Sequence, residues 1–295
     1  MSVTFLKKKY DTFQRGSGKF HLNCSKRITK ETPTTESWLN ILRELKPTNF
    51  KDDNRVLLGV LEKHKNVVIK IGESINLKKE YDYCKLLEQH GVEGFVKFIC
   101  YFACNDNYKN HHGSISALCN GPGNQMKCLV MKYFSHGSIR DATWTLDNFH
   151  VLKSLLSQSV IAIINAYQTC GIIHNDLNSG NILIDTTKKT SFYNIPTHGY
   201  KIVIMDLENS IRVTEDAPKD KNLFVYNDIQ NLINDINYRS KVNLSELIII
   251  TSRLAIDVPP FEKSIPILLD AIEKLQWIEP PQISTAYDPN LWGGK

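Results

Sequence analysis

The chain has 295 residues, 42% of them hydrophobic and 23% charged, which excludes a disordered tail or a collagen-like fibre. Thirty-six Lys and Arg against 31 Asp and Glu leave a net charge of +5, a mild excess that does not by itself argue for nucleic acid. The length suits one large domain or two lobes around a buried core.

Residues 1–35 are polar and basic and read as an N-terminal extension, with Lys7–Lys9 and Lys26–Arg27 as a solvated face. Trp38, Ile41, Leu42 and Leu45 fall at helical spacing, which predicts a short helix over Ser37–Leu45. Arg55–Glu62 and Asn66–Ile71 are rich in Val, Leu and Ile and predict a β-hairpin around Lys63–Lys65. Leu77–His90 reads as a helix, Phe95–Phe102 as a strand, Asn105–Gln125 as a polar loop and Lys127–Phe134 as a strand. Beyond it the pattern changes. Val151–Thr169 is strongly periodic, with Leu152, Leu155, Leu156, Val160, Ile163, Ile164 and Tyr167 on one helical face. Short strands are expected at Ile182–Ile184 and Tyr200–Met205, then helices over 226–238, 243–256 and 263–276. The organisation is therefore α+β: an extension over 1–35, a β-rich lobe with one main helix over 36–133 and a mainly helical lobe over 134–295.

No stretch approaches the ~18 uninterrupted apolar residues of a membrane helix, and the first residues lack the apolar run of a signal peptide. The seven cysteines are odd in number and scattered, which reads as reduced thiols in the cytoplasm or nucleus. Cys100, Cys104, His111, His112, Cys119 and Cys128 cluster in sequence, but without C-x-x-C and at loose spacing, so free thiols are favoured over zinc.

The most informative segment is His174-Asn-Asp-Leu-Asn-Ser-Gly-Asn181, between the long helix and a short strand. Asp176 offers a carboxylate that can accept or orient a hydroxyl proton, and Asn181 an amide oxygen that can hold Mg²⁺. The same residues also suit a plain turn. The segment resembles the H-R-D-L-x-x-x-N catalytic loop of protein kinases. Asp206 ends the apolar run Lys201–Met205, 25 residues after Asn181, and resembles the aspartate of the family's D-F-G. Upstream, Val67-Val-Ile-Lys70 resembles V-A-I-K, and Glu80, ten residues on, resembles the helix glutamate that pairs with that lysine; Asp82 is a second candidate. Leu129-Val-Met131-Lys-Tyr-Phe134 resembles the strand and hinge that receive adenine.

The resemblance covers about residues 49–238 and implies a two-lobed protein-kinase-like fold that uses ATP and Mg²⁺. It implies Asp176 as catalytic base, Lys70 on the phosphates paired with Glu80, and Asn181 and Asp206 on the metal. Met131 would be the gatekeeper, and the backbone of Lys132, Tyr133 and Phe134 would meet adenine. The implied acceptor is a Ser/Thr hydroxyl on a protein substrate, with no membrane or nucleic-acid partner.

The pattern also departs from the family. No glycine-rich loop lies about 20 residues before Lys70, where Asn49–Arg55 stands and Lys51 is the candidate replacement; Gly16 and Gly18 are 52 residues or more away. The D-F-G position reads Asp206-Leu-Glu208; Glu208 is a second candidate to touch a metal, with a solvent-facing role favoured. Asn178 replaces the loop lysine of Ser/Thr kinases, and no A-P-E follows. Only 22 residues separate Asp206 from Asp228, which is expected to brace the catalytic loop through its backbone. A short activation segment of this kind is similar to that of haspin-like kinases and of divergent kinases in large DNA viruses. Two alternatives remain open: a non-catalytic pseudokinase that acts as an interaction module, and a phosphotransferase for a small-molecule acceptor.

Overall fold

The structure, a computed structural model, describes residues 19–22, 37–44, 55–61, 65–103, 126–213, 221–239 and 242–277. The strand-rich part is one six-stranded sheet of β1 (Lys19–Leu22), β2 (Ser37–Glu44), β3 (Arg55–Leu61), β4 (Lys65–Glu73), β5 (Phe98–Ala103) and β6 (Met126–Lys132). Its strands run in the order β1-β2-β3-β4-β6-β5, each pair antiparallel. The helix α1 (Ser74–Gln89) follows β4 directly and packs its Leu77–Glu80–Cys84–Leu87 stripe inward. This stripe has the 3-4-3 spacing of a core-facing helix, with one carboxylate in it.

The segment Ser37–Leu45 is a strand over Ser37–Glu44, not the expected helix. β2 pairs with both β1 and β3, and the β2–β3 register shifts between Ile41 and Arg43. An irregularity of that kind resets the two-residue alternation, which leaves apolar positions three and four apart in a segment that is extended. The expected hairpin is β3–β4, which brings Lys70 opposite Val56 on one side and Leu129 on the other.

The helical part is built on α2 (Phe149–Cys170), whose Leu152, Leu155, Leu156, Val160, Ile163 and Ile164 are buried. Its length and apolarity would let it cross a membrane, but 78% of its most apolar stretch is buried inside the fold, as for a core helix. Gly171 ends it with a φ of 68°, a left-handed cap that favours glycine. Short antiparallel pairs follow: β7 (Ile172–Ile173) with β12 (Ile211–Arg212), β8 (Ile182–Thr186) with β11 (Tyr200–Ile204), and β9 (Ser191–Phe192) with β10 (Ile195–Pro196). The helices α3 (Lys221–Arg239), α4 (Ser245–Asp257) and α5 (Phe261–Glu273) complete the core.

Two sets of contacts fix β11, the strand that leads to Asp206. The fully buried Gln158 of α2 accepts from the Ile202 N–H at 3.1 Å and donates to the Tyr200 carbonyl at 3.2 Å, standing in for a neighbouring strand. From the sheet side, the Val96 N–H donates to the Ile204 carbonyl at 2.8 Å, and the Ile204 N–H to the Gly94 carbonyl at 2.7 Å. The segment after α1 is thereby joined to the strand that carries the site. Cys100 and Cys128 are buried, while Cys104, His111, His112 and Cys119 lie outside the described residues, as do Lys51, Gly16, Gly18 and the basic N-terminal residues.

Candidate active site

Lys70 sits mid-strand on β4, between Ile69 and Ile71, where a lysine has little water. A buried ammonium requires acceptors, and it has three. Lys70 Nζ lies 2.9 Å from Glu80 Oε2, 2.6 Å from Asp206 Oδ1 and 3.0 Å from Glu208 Oε2. Burial disfavours the ammonium, but the three carboxylates outweigh it and hold the group above the ordinary lysine value. Glu80, 1% exposed, is pushed above the ordinary carboxylate range by burial. Lys70 pulls it back, and the nearby Asp206 and Glu208 add to the rise. Asp82, the other candidate on α1, is exposed and pairs with Lys78 instead.

Asp206 is carried by the turn that ends β11, with φ of 70° and ψ of 55°. That left-handed conformation is tolerated by Asp better than by most side chains. Its N–H donates to Glu80 Oε1 at 3.1 Å, and Lys79 Nζ donates to the Glu208 carbonyl at 2.9 Å. Two consecutive residues of α1 therefore hold the turn 206–208. Glu208 does not face solvent as expected: its carboxylate completes the shell around Lys70, with its side chain 21% exposed.

The β8–β11 pairing brings in the second half of the site. Ile182 is opposite Ile204, so Asn181 and Met205 meet at the strand ends, and the Met205 N–H donates to the Asn181 carbonyl at 2.9 Å. Asp206 follows at once. Asn181 Nδ2 donates to the Asp176 carbonyl at 2.9 Å, which ties up the nitrogen end of the amide and leaves its oxygen to coordinate. Asp176 is exposed, and its Oδ2 accepts from Asn209 Nδ2 at a long 3.4 Å.

The loop around Asp176 is held mainly through its backbone. Asp228 Oδ2, on α3, accepts from the Asn175 N–H at 3.0 Å, where Asn175 has a φ of 62°. Burial raises the Asp228 carboxyl, against the nearby His174 and the donors of the loop backbone. Seven residues on, Asp235 Oδ2 accepts from the Ser179 N–H at 2.9 Å, from the Ser179 hydroxyl, and from Arg140 Nη2 at 3.2 Å. Arg140 Nη2 also donates to Asn178 Oδ1 at 2.7 Å, so a guanidinium stands beside the position that lacks the loop lysine.

Met131 is buried on β6, paired with Val68 and Phe98. Lys132 is exposed and reaches Asp185 Oδ1 at 2.7 Å. The Tyr133 N–H is used by the Asn66 carbonyl at 3.1 Å, whereas the Phe134 N–H meets no acceptor among the described residues.

Sequence reasoning missed Asp235, Arg140 and Lys79, and for Glu208 it missed the bond to Lys70. Asp235 had a signal: it lies two helical turns after Asp228, on the same face of α3. Glu208 had a weaker one, a carboxylate two positions from Asp206 in a chain that already placed Lys70 there. Arg140 and Lys79 had none.

Hard oxygen donors suit Mg²⁺, and the donor set here is of that kind: the Asp206 carboxylate, the oxygen end of the Asn181 amide and the nearby Glu208. One oxygen each from Glu80, Asp206 and Glu208 lies within 4.8 Å of the other two.

No protein-family model and no curated protein matches the sequence. Solved structures do match. The crystal structure of a BubR1 kinase domain aligns at a TM-score of 0.54, over 86% of this chain and 81% of that one, with 11% sequence identity. The fold is kinase-like, a strand-rich part with one main helix joined to a helical part.

Proposed function

We propose that this chain is a divergent protein kinase that transfers the γ-phosphoryl group of ATP to a Ser/Thr hydroxyl with Mg²⁺. The observation that carries the reading is the meeting of Lys70 with Glu80 and with Asp206, the latter 136 positions away in sequence, at a single ammonium. Mg²⁺·ATP would supply the phosphoryl group and the metal charge that neutralises it. Lys70, oriented by Glu80, would contact the phosphates. Asp206 and the Asn181 amide oxygen would hold the metal, and the Phe134 N–H in the Lys132–Phe134 segment, which has no acceptor among the described residues, would donate to the adenine edge beside Met131. Asp176, exposed at the mouth of the loop, would orient the acceptor hydroxyl and take its proton. The work assigned to these residues is positioning and charge stabilisation.

The compact link from Asp206 to Asp228 supports a haspin-like or large-DNA-virus type of kinase. The odd number of scattered cysteines, with Cys84 and Cys170 buried as thiols, supports a reducing compartment, cytoplasmic or nuclear. One observation favours a second reading, a non-catalytic interaction module: Lys70 already has three carboxylate partners. Incubation of the full chain with Mg²⁺ and γ-labelled ATP, with a generic protein acceptor and separately with small hydroxylated acceptors, tests these readings. Label on the protein acceptor is expected. Label only on a small molecule would make the chain a small-molecule phosphotransferase, and nucleotide binding without any transfer would make it a pseudokinase.

A further inference from the structure

We propose that Arg140 makes this site selective for an acceptor whose reacting hydroxyl is flanked by an acidic side chain. The inference rests on the reading of the chain as a protein kinase with Asp176 facing the acceptor hydroxyl. Arg140 runs beside the loop that presents Asp176. Its N–H donates to the Ser179 carbonyl at 3.2 Å, and the preceding Ile139 N–H donates to the Ile182 carbonyl at 2.9 Å. The backbone at 139–140 is thereby laced to the segment that follows Asp176.

An arginine carries five N–H donors in a rigid fork. Nη2 of Arg140 donates to Asn178 Oδ1 at 2.7 Å and to Asp235 Oδ2 at 3.2 Å, and Nε donates to the Ser179 hydroxyl at a long 3.5 Å. Nη1, with two donors, meets no acceptor among the described residues. The side chain is 37% exposed, open to a chain that binds from the solvent side. Gly180 makes room for this placement. Its backbone lies outside the left-handed region, so conformational freedom is not what glycine supplies there. A Cβ at position 180 would stand 2.8 Å from Arg140 Cζ and 2.9 Å from Nη1, well inside ordinary contact. The guanidinium therefore lies against the loop, one residue before Asn181.

Asn178 links this cation to the acceptor position. Its Nδ2 donates to the Asp176 carbonyl at 3.1 Å, so one amide group separates the guanidinium from the Asp176 backbone. Two hydrogen bonds and an amide span about 8 Å, roughly two residues of extended chain. A peptide that offers a hydroxyl to Asp176 brings residues about two or three positions away within reach of Nη1. The neighbouring Asp141 does not compete: its Oδ2 accepts from the Ser138 N–H at 3.1 Å and the Ser138 hydroxyl at 2.8 Å. A fixed cation with donors to spare favours a carboxylate and disfavours Lys or Arg at the same place. Because Asn178 and Asp235 already hold the fork, little side-chain freedom is lost when the partner binds.

The test is kcat/KM of the full chain, with Mg²⁺ and γ-labelled ATP, on serine peptides that differ only in carrying Asp, Ala or Lys at the flanking positions. The Asp peptide should be preferred over the Ala peptide about tenfold, equivalent to about 1.4 kcal/mol, with the Lys peptide poorest. In Arg140→Ala and Arg140→Gln the Asp-to-Ala ratio should fall towards unity, whereas a merely structural role would lower all peptides alike and leave the ratio intact. Glutamine keeps an amide donor for Asn178, so it serves if the alanine variant folds poorly, as monitored by thermal unfolding. Equal kcat/KM for the three peptides in the unsubstituted chain would overturn the selectivity and leave the kinase reading standing. A preference for Asp that is unchanged in both variants would overturn the role of Arg140. Absence of transfer to every peptide would overturn both readings.

Discussion

Around Lys70, carboxyl groups from α1 and the turn after β11 converge on one amine carried by β4, whereas the loop that presents Asp176 is held by carboxylates bonding its backbone. Glu80 is buried; Asp176 is exposed. The first arrangement makes charge part of the structure, so a substitution there should disturb folding and function together. The second separates them: Asp228 and Asp235 carry the architecture, and Asp176 is left available for chemistry.

The largest effect that would sharpen this contrast is at Lys70. Lys70→Met strands three carboxylates, and removing one partner of a buried pair costs about 3–5 kcal/mol. Urea unfolding should show a loss of that size, with part of it recovered in the double variant Lys70→Met, Glu208→Gln. A loss under about 1 kcal/mol, the range of exposed ion pairs, would break the claim that the cluster is structural.

Next is Asp228→Ala, which leaves the Asn175 N–H without its acceptor. A hydrogen bond to a charged acceptor is worth about 1.5–3 kcal/mol, and the same unfolding experiment should register its loss. Asp228→Asn keeps a carbonyl acceptor and should lose less. If the two variants are equally destabilised, the backbone bond is not what Asp228 contributes.

A smaller effect appears in pH dependence. Burial pushes the Glu80 carboxyl above its ordinary 4.5, so the folded state binds this proton more tightly than the unfolded chain does. Stability linked to Glu80 is therefore greatest at and below that value and declines as pH rises from 4.5 through the folded-state value. Unfolding free energies measured from pH 4.5 upward should show that decline, and Glu80→Gln should flatten it. An unchanged slope in the variant would assign the pH dependence elsewhere.

The smallest test concerns dryness. Cys84 lies one helical turn from Glu80, and burial raises its thiol well above the ordinary range; burial pushes the Cys128 thiol up to about 12. Iodoacetamide at pH 8, read peptide by peptide, should alkylate neither until the protein unfolds, since the thiolate is the reactive form. Ready labelling of Cys84 in the folded state would show water reaching the cluster.

Much of this was legible in the sequence because the relevant signals are local. The five-residue step from Asp176 to Asn181, the apolar strand ending at Asp206 and a lysine inside Val-Val-Ile-Lys each announce a position without reference to distant residues. The helix α2 was equally plain from its periodicity. What sequence could not supply was pairing across the chain. β2 reads as a helix because its register irregularity disturbs the alternation, and only its neighbours β1 and β3 make it a strand. Glu208 reads as solvent-facing because nothing near it in sequence shows that Lys79 anchors its backbone while Lys70 takes its carboxylate. The partnership of Arg140 with Asn178 spans 38 positions and rests on no motif.

The most direct test of the account is a paired measurement on Asp176→Ala: unfolding free energy by urea, and transfer of label from γ-labelled ATP with Mg²⁺ to a protein acceptor. The account expects stability within about 0.5 kcal/mol of the unsubstituted protein, as for an exposed side chain, together with loss of the transfer that the unsubstituted protein supports. Transfer that persists unchanged in the folded variant would contradict the assignment of Asp176 as the base.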